Sequence, residues 1–329
     1  MKSQIIGIGS CVPENVVTNA HMEEWMDTSD EWIQTRSGIQ ERHWAVEGET
    51  ASDLAESASR RAMEMAGISP DEIDLVIVGT ITSDYFFPGI SAQLQDRLGL
   101  RTVGAFDIKA ACSAFIYALS IGDQYIRSCT AKTVLVVGAE VQSSALDISD
   151  EGRDTAVLFG DGAGAAILKA AEGERGILST HLHCQGEHLK LLWCEEPGSN
   201  HRPRMSEELL KENRHYPVMN GREVFKNAVT RFPEVIEEAM EANNLSIDDV
   251  ALIIPHQANL RISQAVAKRM GIGMDKVFSN IHKYGNTTAA SIPLALCEAV
   301  EEGKISVGDN IIFAAFGAGF TWASAAVKW

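Results

Sequence analysis

The chain repeats itself at a fixed distance, and this constrains its fold more than any other feature. "AMEMAGISPDEIDLVIVGT", from Ala62, and "AMEANNLSIDDVALIIPHQ", from Ala239, align without a gap at an offset of 177 residues. Ala62, Met63 and Glu64 fall on Ala239, Met240 and Glu241; Ser69 and Asp71 fall on Ser246 and Asp248; Leu75 and Ile77 fall on Leu252 and Ile254. Each copy reads as a helix end, a short Ser/Asp loop and a buried strand. The same offset places "KTVLVVGAE", from Lys132, on "DNIIFAAFG", from Asp309, so the register persists over about 70 residues. Between these strands each half carries a helical stretch, 112–128 in the first and about 288–302 in the second. Two strands and two helices in one order per half predict duplicated parallel βαβ units, an α/β fold of two pseudo-symmetric halves.

Local signals agree with this plan. "TASDLAESASRRAMEMAG" opens on Thr50 with Asp53 three residues on, an approximate capping box, and stops at Gly67. Phe225, Val229, Phe232, Ile236 and Met240 step along one apolar helix stripe. "LVIVGT" and "VLVVGAE" are continuously apolar, as strands covered on both faces should be. Residues 185–220 are polar, contain "EEPGSNHRPR" and have no counterpart in the first half; they are expected to form a loop or cap over the domain, a usual place for substrate specificity.

With 329 residues, 45% of them apolar, the chain can bury a sizeable core. A net charge of −17, from 28 basic and 45 acidic residues, disfavours nucleic acid and anionic membrane surfaces as partners. An acidic partner would need a local basic patch. No uninterrupted apolar segment is long enough to span a bilayer, and the opening "MKSQIIGIGS" has no signal-peptide pattern, so a cytoplasmic location is expected. The six cysteines have no framework spacing and no CxxC; they are expected to be free thiols, most of them buried packing residues.

Four stretches can carry chemistry. In "DIKAACSAFIYALS", Cys112 precedes an apolar run that reads as a buried helix. A thiol in that first turn meets unpaired N–H groups and the positive end of the helix dipole, which together should lower its pKa. A packing cysteine satisfies the same pattern. In "PHQANLRI", His256 ends a repeated strand where the first half has Gly79, at the strand end where parallel sheets place their sites. In "HKYGNTTAAS", Asn286 lies three residues before Ala289, the equivalent of Cys112, so two matching helix starts face a shared pseudo-twofold axis. A plain Asn turn is the bland alternative. In "AFGAGFTW", Gly317, Ala318 and Gly319 allow close backbone approach, and an N–H there could serve an oxyanion hole or only a tight turn.

In chain order, "DEWIQTRSGIQERH", "AACSAF", "LFGDGAGAA", "PHQANLRI", "YGNTTAASIP" and "AFGAGFTW" cover nearly the whole sequence. Together they resemble β-ketoacyl-acyl-carrier-protein synthase III, the condensing enzyme that initiates bacterial fatty-acid synthesis on the thiolase fold. The resemblance implies a layered αβαβα arrangement with a Cys-bearing half at 1–175 and a His- and Asn-bearing half at 176–329. It implies that Cys112 takes an acyl group from acyl-CoA, most simply acetyl-CoA, and that His256 and Asn286 bind the thioester oxygen of malonyl-acyl-carrier protein as carbon dioxide leaves. Backbone N–H groups of Cys112 and Ala318 would hold the acyl oxyanion; the family usually has glycine at the latter position. Thr28, Trp32, Arg36, Arg153, Gly221, Phe225 and Asn259 would contact the coenzyme A portion of the acyl-CoA substrate, and no cofactor or metal is implied. Phe87 would reach a neighbour's acyl pocket in a homodimer. Lys226, Arg261, Lys268 and Arg269 are candidates for a patch that receives the acidic carrier protein, Arg261 and Lys268 sharing one helix face.

Other readings compete. "FGDGAGAA" lacks the Gly-Lys-Ser/Thr of a phosphate loop and reads as a closely packed strand. In "HLHCQGEH" only His181 and His183 share a strand face, a thin basis for a metal site. A cysteine protease can order Cys, His and Asn likewise, but the duplication argues against its fold. A thiolase or hydroxymethylglutaryl-CoA synthase would replace the His–Asn pair, whereas type III polyketide synthases share all three residues. A longer acyl-CoA primer in a secondary pathway, or a non-catalytic acyl-binding subunit, completes the alternatives.

Overall fold

The computed structural model describes residues 2–329. Its first sheet is built from β1 (Lys2–Cys11), β2 (Leu75–Gly79), β3 (Gly104–Ile108), β4 (Thr133–Glu140) and β5 (Gly162–Ala171), in the order β1-β5-β4-β2-β3. The second is built from β6 (Gly176–Cys184), β7 (Val250–Pro255), β8 (Asn310–Gly317) and β9 (Thr321–Lys328), in the order β6-β9-β8-β7. The orders match, with β3 the one strand lacking a partner. At an offset of 177 residues β4 superposes on β8 end for end. The parallel pairings are β2 with β3 and β4, and β7 with β8. The expected parallel unit is thus present in each half, while the sheets as a whole are mixed, because β5 returns antiparallel between β1 and β4, and β9 antiparallel between β6 and β8.

The helices that position the site are α1 (Asp30–Ser37), α2 (Ala51–Ala66), α3 (Ala114–Arg127), α4 (Gly221–Ala242), α5 (Leu260–Met270) and α6 (Ser291–Glu301). Strand alternation assigns the layers. Leu75, Ile77, Val134 and Val136 of the first sheet, and Ile311 and Phe313 of the second, pack on Phe115 and Leu119 of α3 and Ile292 and Leu296 of α6 in one central core. The intervening residues Val76, Val78, Leu135 and Val137 turn outward onto Leu54, Ala58 and Ala62 of α2. Ile312 and Ala314 turn outward onto Phe232 and Ile236 of α4 and Val266 of α5. The result is helix, sheet, helix, sheet, helix, with every main strand covered on both faces, which is why the strands carry so few polar residues. Thr50 and Asp53 form the anticipated capping box of α2, and Gly67 closes that helix in the left-handed region at φ 63°.

Residues 185–220 are more structured than a bare loop. Leu192–Trp193 pairs with Val218–Met219 in a two-stranded ribbon, and Glu207–Lys211 forms a short helix. The cap's ion cluster sets Glu195, Glu196 and His201 beside Arg214, whose Nη1 lies 3.4 Å from Glu195 Oε1. The cysteine expectation needs correcting: Cys112 and Cys297 are buried, Cys11 is half-buried, and Cys129, Cys184 and Cys194 are exposed. The exposed three lie after α3, at the end of β6 and in the cap, where no core is available to them. "FGDGAGAA" runs into β5, and a Cβ on Gly164 would come within 2.6 Å of Pro293 Cβ in α6.

This contact gives a stability test. Gly164→Ala overpacks the seam between β5 and α6 and should cost about 1–3 kcal/mol in denaturant unfolding. An unchanged midpoint would show that the seam is loose.

Candidate active site

The two helix starts on the pseudo-twofold axis share an unusual backbone. Cys112 lies in the 3₁₀ turn Ala111–Ser113 that leads into α3, and Thr288–Ala290 forms the equivalent turn before α6. The residue opening each turn, Ala111 at φ 44° and Thr288 at φ 48°, is left-handed, although neither is glycine. Such a conformation costs about 1 kcal/mol or more and persists only where surrounding packing fixes it. A Cβ on Gly317 would lie 2.5 Å from Cys112 Cβ and 2.8 Å from its Sγ, so β8 ends on glycine where the thiol sits.

Burial, with the charge of Glu140 adding to it, pushes the Cys112 thiol up to about 12, against the opposing pull of the Ala318 and Cys112 backbone N–H groups. This corrects the expectation of a lowered pKa: desolvation outweighs the helix start, and the residue rests as a thiol. Those two N–H groups nevertheless favour negative charge beside the sulfur, next to which an acyl oxyanion would form. Left-handed φ falls on Gly319 and Phe320, not on Ala318, so alanine in place of the family's usual glycine adds no backbone strain there.

His256 follows β7, its N–H donating to Ala314 O at 2.7 Å. Burial lowers the imidazole to about 3, so it is neutral at physiological pH. Its Nδ1 lies 2.6 Å from Ser291 Oγ, which is also 3.0 Å from Thr288 O. A hydroxyl has one proton to give. Given to Nδ1, it leaves Nε2–H as a donor; given to Thr288, it leaves Nε2 as an acceptor. Asn286 is fixed by backbone bonds to the first half, its N–H donating to Leu158 O at 2.8 Å and its C=O accepting from Gly160 N–H at 3.1 Å. Its Oδ1 accepts Thr288 N–H at 2.9 Å, which leaves the amide Nδ2–H groups as the donors for the cavity.

Cys112, His256 and Asn286 line one cavity of about 520 Å³, with Phe159, Phe316 and Gly317 beside them. Its outer walls bring together Trp32 and Arg36 of α1, Gly221 and Phe225 of α4, Asn259 just before α5 and Arg261 within it. The cap contributes Leu192 and Met219. Thr28 and Arg153 stand outside this lining: the Thr28 hydroxyl is buried without a partner, and Arg153 donates to Asp27 O at 2.7 Å. The Arg153 and Arg36 guanidinium groups lie 4.7 Å and 4.5 Å from the Trp32 ring centre. A planar base stacking there would therefore have to compete with cations. Asn259 caps α5, accepting Arg261 N–H at 2.9 Å and donating to Arg36 O at 2.8 Å, so its side chain ties two cavity walls together.

Lys226 on α4 and Arg261, Lys268 and Arg269 on α5 are all exposed, and Arg261 reaches over the Phe225 ring at the cavity mouth. Phe87 is 79% exposed beside exposed Tyr85 and Phe86. His181 and His183 do share a face, but both turn to Glu238, at 3.3 Å and 2.6 Å. Sequence reasoning missed Ser291 and Glu140. Ser291 gave no signal, since its role depends on where His256 lands; Glu140 did, because it falls on Gly317 at the repeat offset, the same contrast that singled out His256.

Comparison with known proteins agrees with this architecture. The family models for 3-oxoacyl-[acyl-carrier-protein] synthase III match residues 106–186, and for its C-terminal part residues 240–329. The β-ketoacyl-[acyl-carrier-protein] synthase III of Paramagnetospirillum magneticum is 48% identical over 333 aligned positions, covering 100% of this chain and 99% of the relative. That of Xanthomonas campestris is 49% identical, covering 99% and 98%. The crystal structure of 3-oxoacyl-[acyl-carrier-protein] synthase III from Aquifex aeolicus matches with a TM-score of 0.92 at 45% identity, covering 99% of this chain and 100% of the other.

A resting thiol makes a kinetic prediction. Iodoacetamide labelling of Cys112, followed on its own peptide so that the exposed cysteines are read separately, should accelerate steadily from about pH 7 to about pH 10. A plateau near neutrality would mean that thiolate is already present.

Proposed function

The chain belongs to the 3-oxoacyl-[acyl-carrier-protein] synthase III family, and from that premise we propose how its residues divide the reaction. The enzyme is an acyltransferase that condenses acetyl-CoA with malonyl-acyl-carrier protein, releasing carbon dioxide and forming a 3-oxoacyl-acyl-carrier protein at the start of fatty-acid synthesis. The observation that carries the residue roles is the single cavity lined by Cys112, His256 and Asn286.

In the first half-reaction Cys112 Sγ attacks the thioester carbonyl carbon of acyl-CoA. The backbone N–H groups of Cys112 and Ala318 hold the oxyanion; the carbon–sulfur bond to CoA breaks, and the thiol proton leaves on the CoA sulfur. One thioester replaces another at little free-energy cost. In the second half-reaction the malonyl thioester oxygen accepts from His256 Nε2–H and Asn286 Nδ2–H. The bond to the carboxylate breaks, carbon dioxide leaves and the electron pair becomes an enolate, whose carbon attacks the acyl-cysteine. Collapse releases the Cys112 sulfur, which takes one proton from solvent. Neutral donors suit this step because they stabilise the enolate oxygen without protonating its carbon. They require the Ser291 proton on His256 Nδ1, the arrangement that leaves Nε2 protonated.

Trp32, Arg36, Gly221, Phe225 and Asn259 receive coenzyme A along the cavity walls, with Thr28 and Arg153 behind Trp32. Lys226, Arg261, Lys268 and Arg269 receive the acidic carrier protein near the mouth, which the chain's overall negative charge would otherwise repel. The exposed Phe87 belongs to a homodimer interface. Acyl-CoA is a substrate, and neither cofactor nor metal takes part. A cytoplasmic location fits a chain in which, among the described residues, no helix is long and apolar enough to cross a membrane. A second reading, a primer longer than acetyl, is favoured by one observation: the cap puts Leu192 and Met219 into the cavity lining.

Intact-mass measurement of the pure protein with a panel of acyl-CoAs tests both readings. Acetyl-CoA should add one acyl group to the wild type and none to Cys112→Ala; preferential loading of medium chains would select the second reading. His256→Ala should load but lose condensation by about 100-fold or more, the cost of one oxyanion donor. Acylation of Cys112→Ala, or normal condensation by His256→Ala, would overturn the assignments.

A further inference from the structure

The nucleophile's mirror position is not vacant. Ala289 is the repeat equivalent of Cys112, and Glu140 is the repeat equivalent of Gly317. In one half a thiol occupies the space left by glycine; in the other, alanine leaves the space and a carboxyl group enters it. Glu140 is fully buried at the end of β4, and the Ala289 backbone N–H acts on its carboxyl group to favour the charged form. Three further donors converge on it from the turn after β2: Thr82 Oγ1 at 2.5 Å, Ile81 N at 3.2 Å and Thr80 Oγ1 at 3.4 Å.

Strand alternation extends the grip. Residues 138 and 140 point to one face at the end of β4, and Gln142 opens the 3₁₀ turn that follows it. A Cβ on Gly138 would lie 2.3 Å from Ala289 O, and Gln142 Nε2 donates to Thr288 Oγ1 at 3.0 Å. All three positions therefore hold the pair Thr288–Ala289. That pair is the common anchor of both cavity donors: Thr288 N–H orients the Asn286 amide, and Thr288 O competes with His256 for the Ser291 proton.

We propose that Glu140 is a positioning residue for the decarboxylating half-reaction, holding Thr288–Ala289 so that Asn286 and His256 present donors to one oxygen. This rests on the roles assigned above to those two residues. Loading at Cys112 uses other donors, the N–H groups of Cys112 and Ala318, and so does not depend on this grip. A buried carboxyl in a merely structural role would support both half-reactions alike.

The test separates the half-reactions in the full-length protein. Cys112 acylation by acetyl-CoA is timed by intact mass, and the pre-acylated enzyme is then given malonyl-acyl-carrier protein. Glu140→Ala should lower the kcat of condensation by about 10- to 100-fold, a fraction of the loss from deleting an oxyanion donor outright. The KM for malonyl-acyl-carrier protein should stay within about twofold, since the carrier contacts are untouched, and loading should be unchanged or faster. Glu140→Gln, which keeps an acceptor for Ala289 N–H and Thr82 Oγ1, should recover most of the rate. Thr82→Val, which removes one donor to the carboxyl group together with the acceptor of the Val141 N–H, should show the same split more weakly and serves if Glu140→Ala does not fold. Equal losses in both half-reactions, or none in either, would overturn the proposal. A wild type that fails to load at Cys112 would instead overturn the parent reading.

Discussion

The structure depends on one steric reciprocity: each half's helix start is held by the end of the other half's central strand. Gly317 of β8 closes on Cys112, and Gly138 of β4 closes on the Ala289 carbonyl, both at distances no side chain could enter. These contacts keep Ala111 and Thr288 in left-handed conformations that an isolated turn would abandon. They also bring α3 and α6 together as the middle layer, with Phe115, Leu119, Ile292 and Leu296 in one core. A one-residue slip of β4 or β8 would turn its apolar residues to the wrong layer and move the glycine away from its contact.

Chemistry then follows from burial. Cys112, His256 and Asn286 are 7%, 2% and 7% exposed, so charge is costly at all three. The imidazole is held neutral and the thiol protonated. For the histidine the sign is that of a depressed pKa: the stability gained from keeping it neutral is fully present above about 6.5 and is lost as pH falls toward about 3. A site of neutral donors suits a reaction whose charged species, an oxyanion and an enolate, appear only as bonds change. Burial of these groups strengthens each hydrogen bond offered to them and asks for no reorganisation at that moment.

Much of this was legible in the sequence. The repeat offset holds residue for residue at β4 and β8, because strands packed on both faces tolerate neither insertion nor register change. It also singled out His256 and Asn286 as candidates, by contrast with Gly79 and with the Cys112-like helix start. The antiparallel returns β5 and β9 were not legible, since a glycine- and alanine-rich strand carries no directional signal. Nor was the thiol's raised pKa: helix position is local, whereas burial beside Glu140 is set by residues distant in sequence. The hydrogen bonds of Ser291 stayed hidden for the same reason, and the cap's ribbon is held by a two-residue pairing too short to read.

The most direct measurement is a crystal structure of the protein trapped after reaction with acyl-CoA. The account predicts continuous density from Cys112 Sγ to the acyl carbonyl, its oxygen in reach of the Cys112 and Ala318 N–H groups, and His256 Nε2 and Asn286 Nδ2 facing the same space. An acyl group on another residue, or a carbonyl turned from those N–H groups while the imidazole and amide point apart, would contradict it.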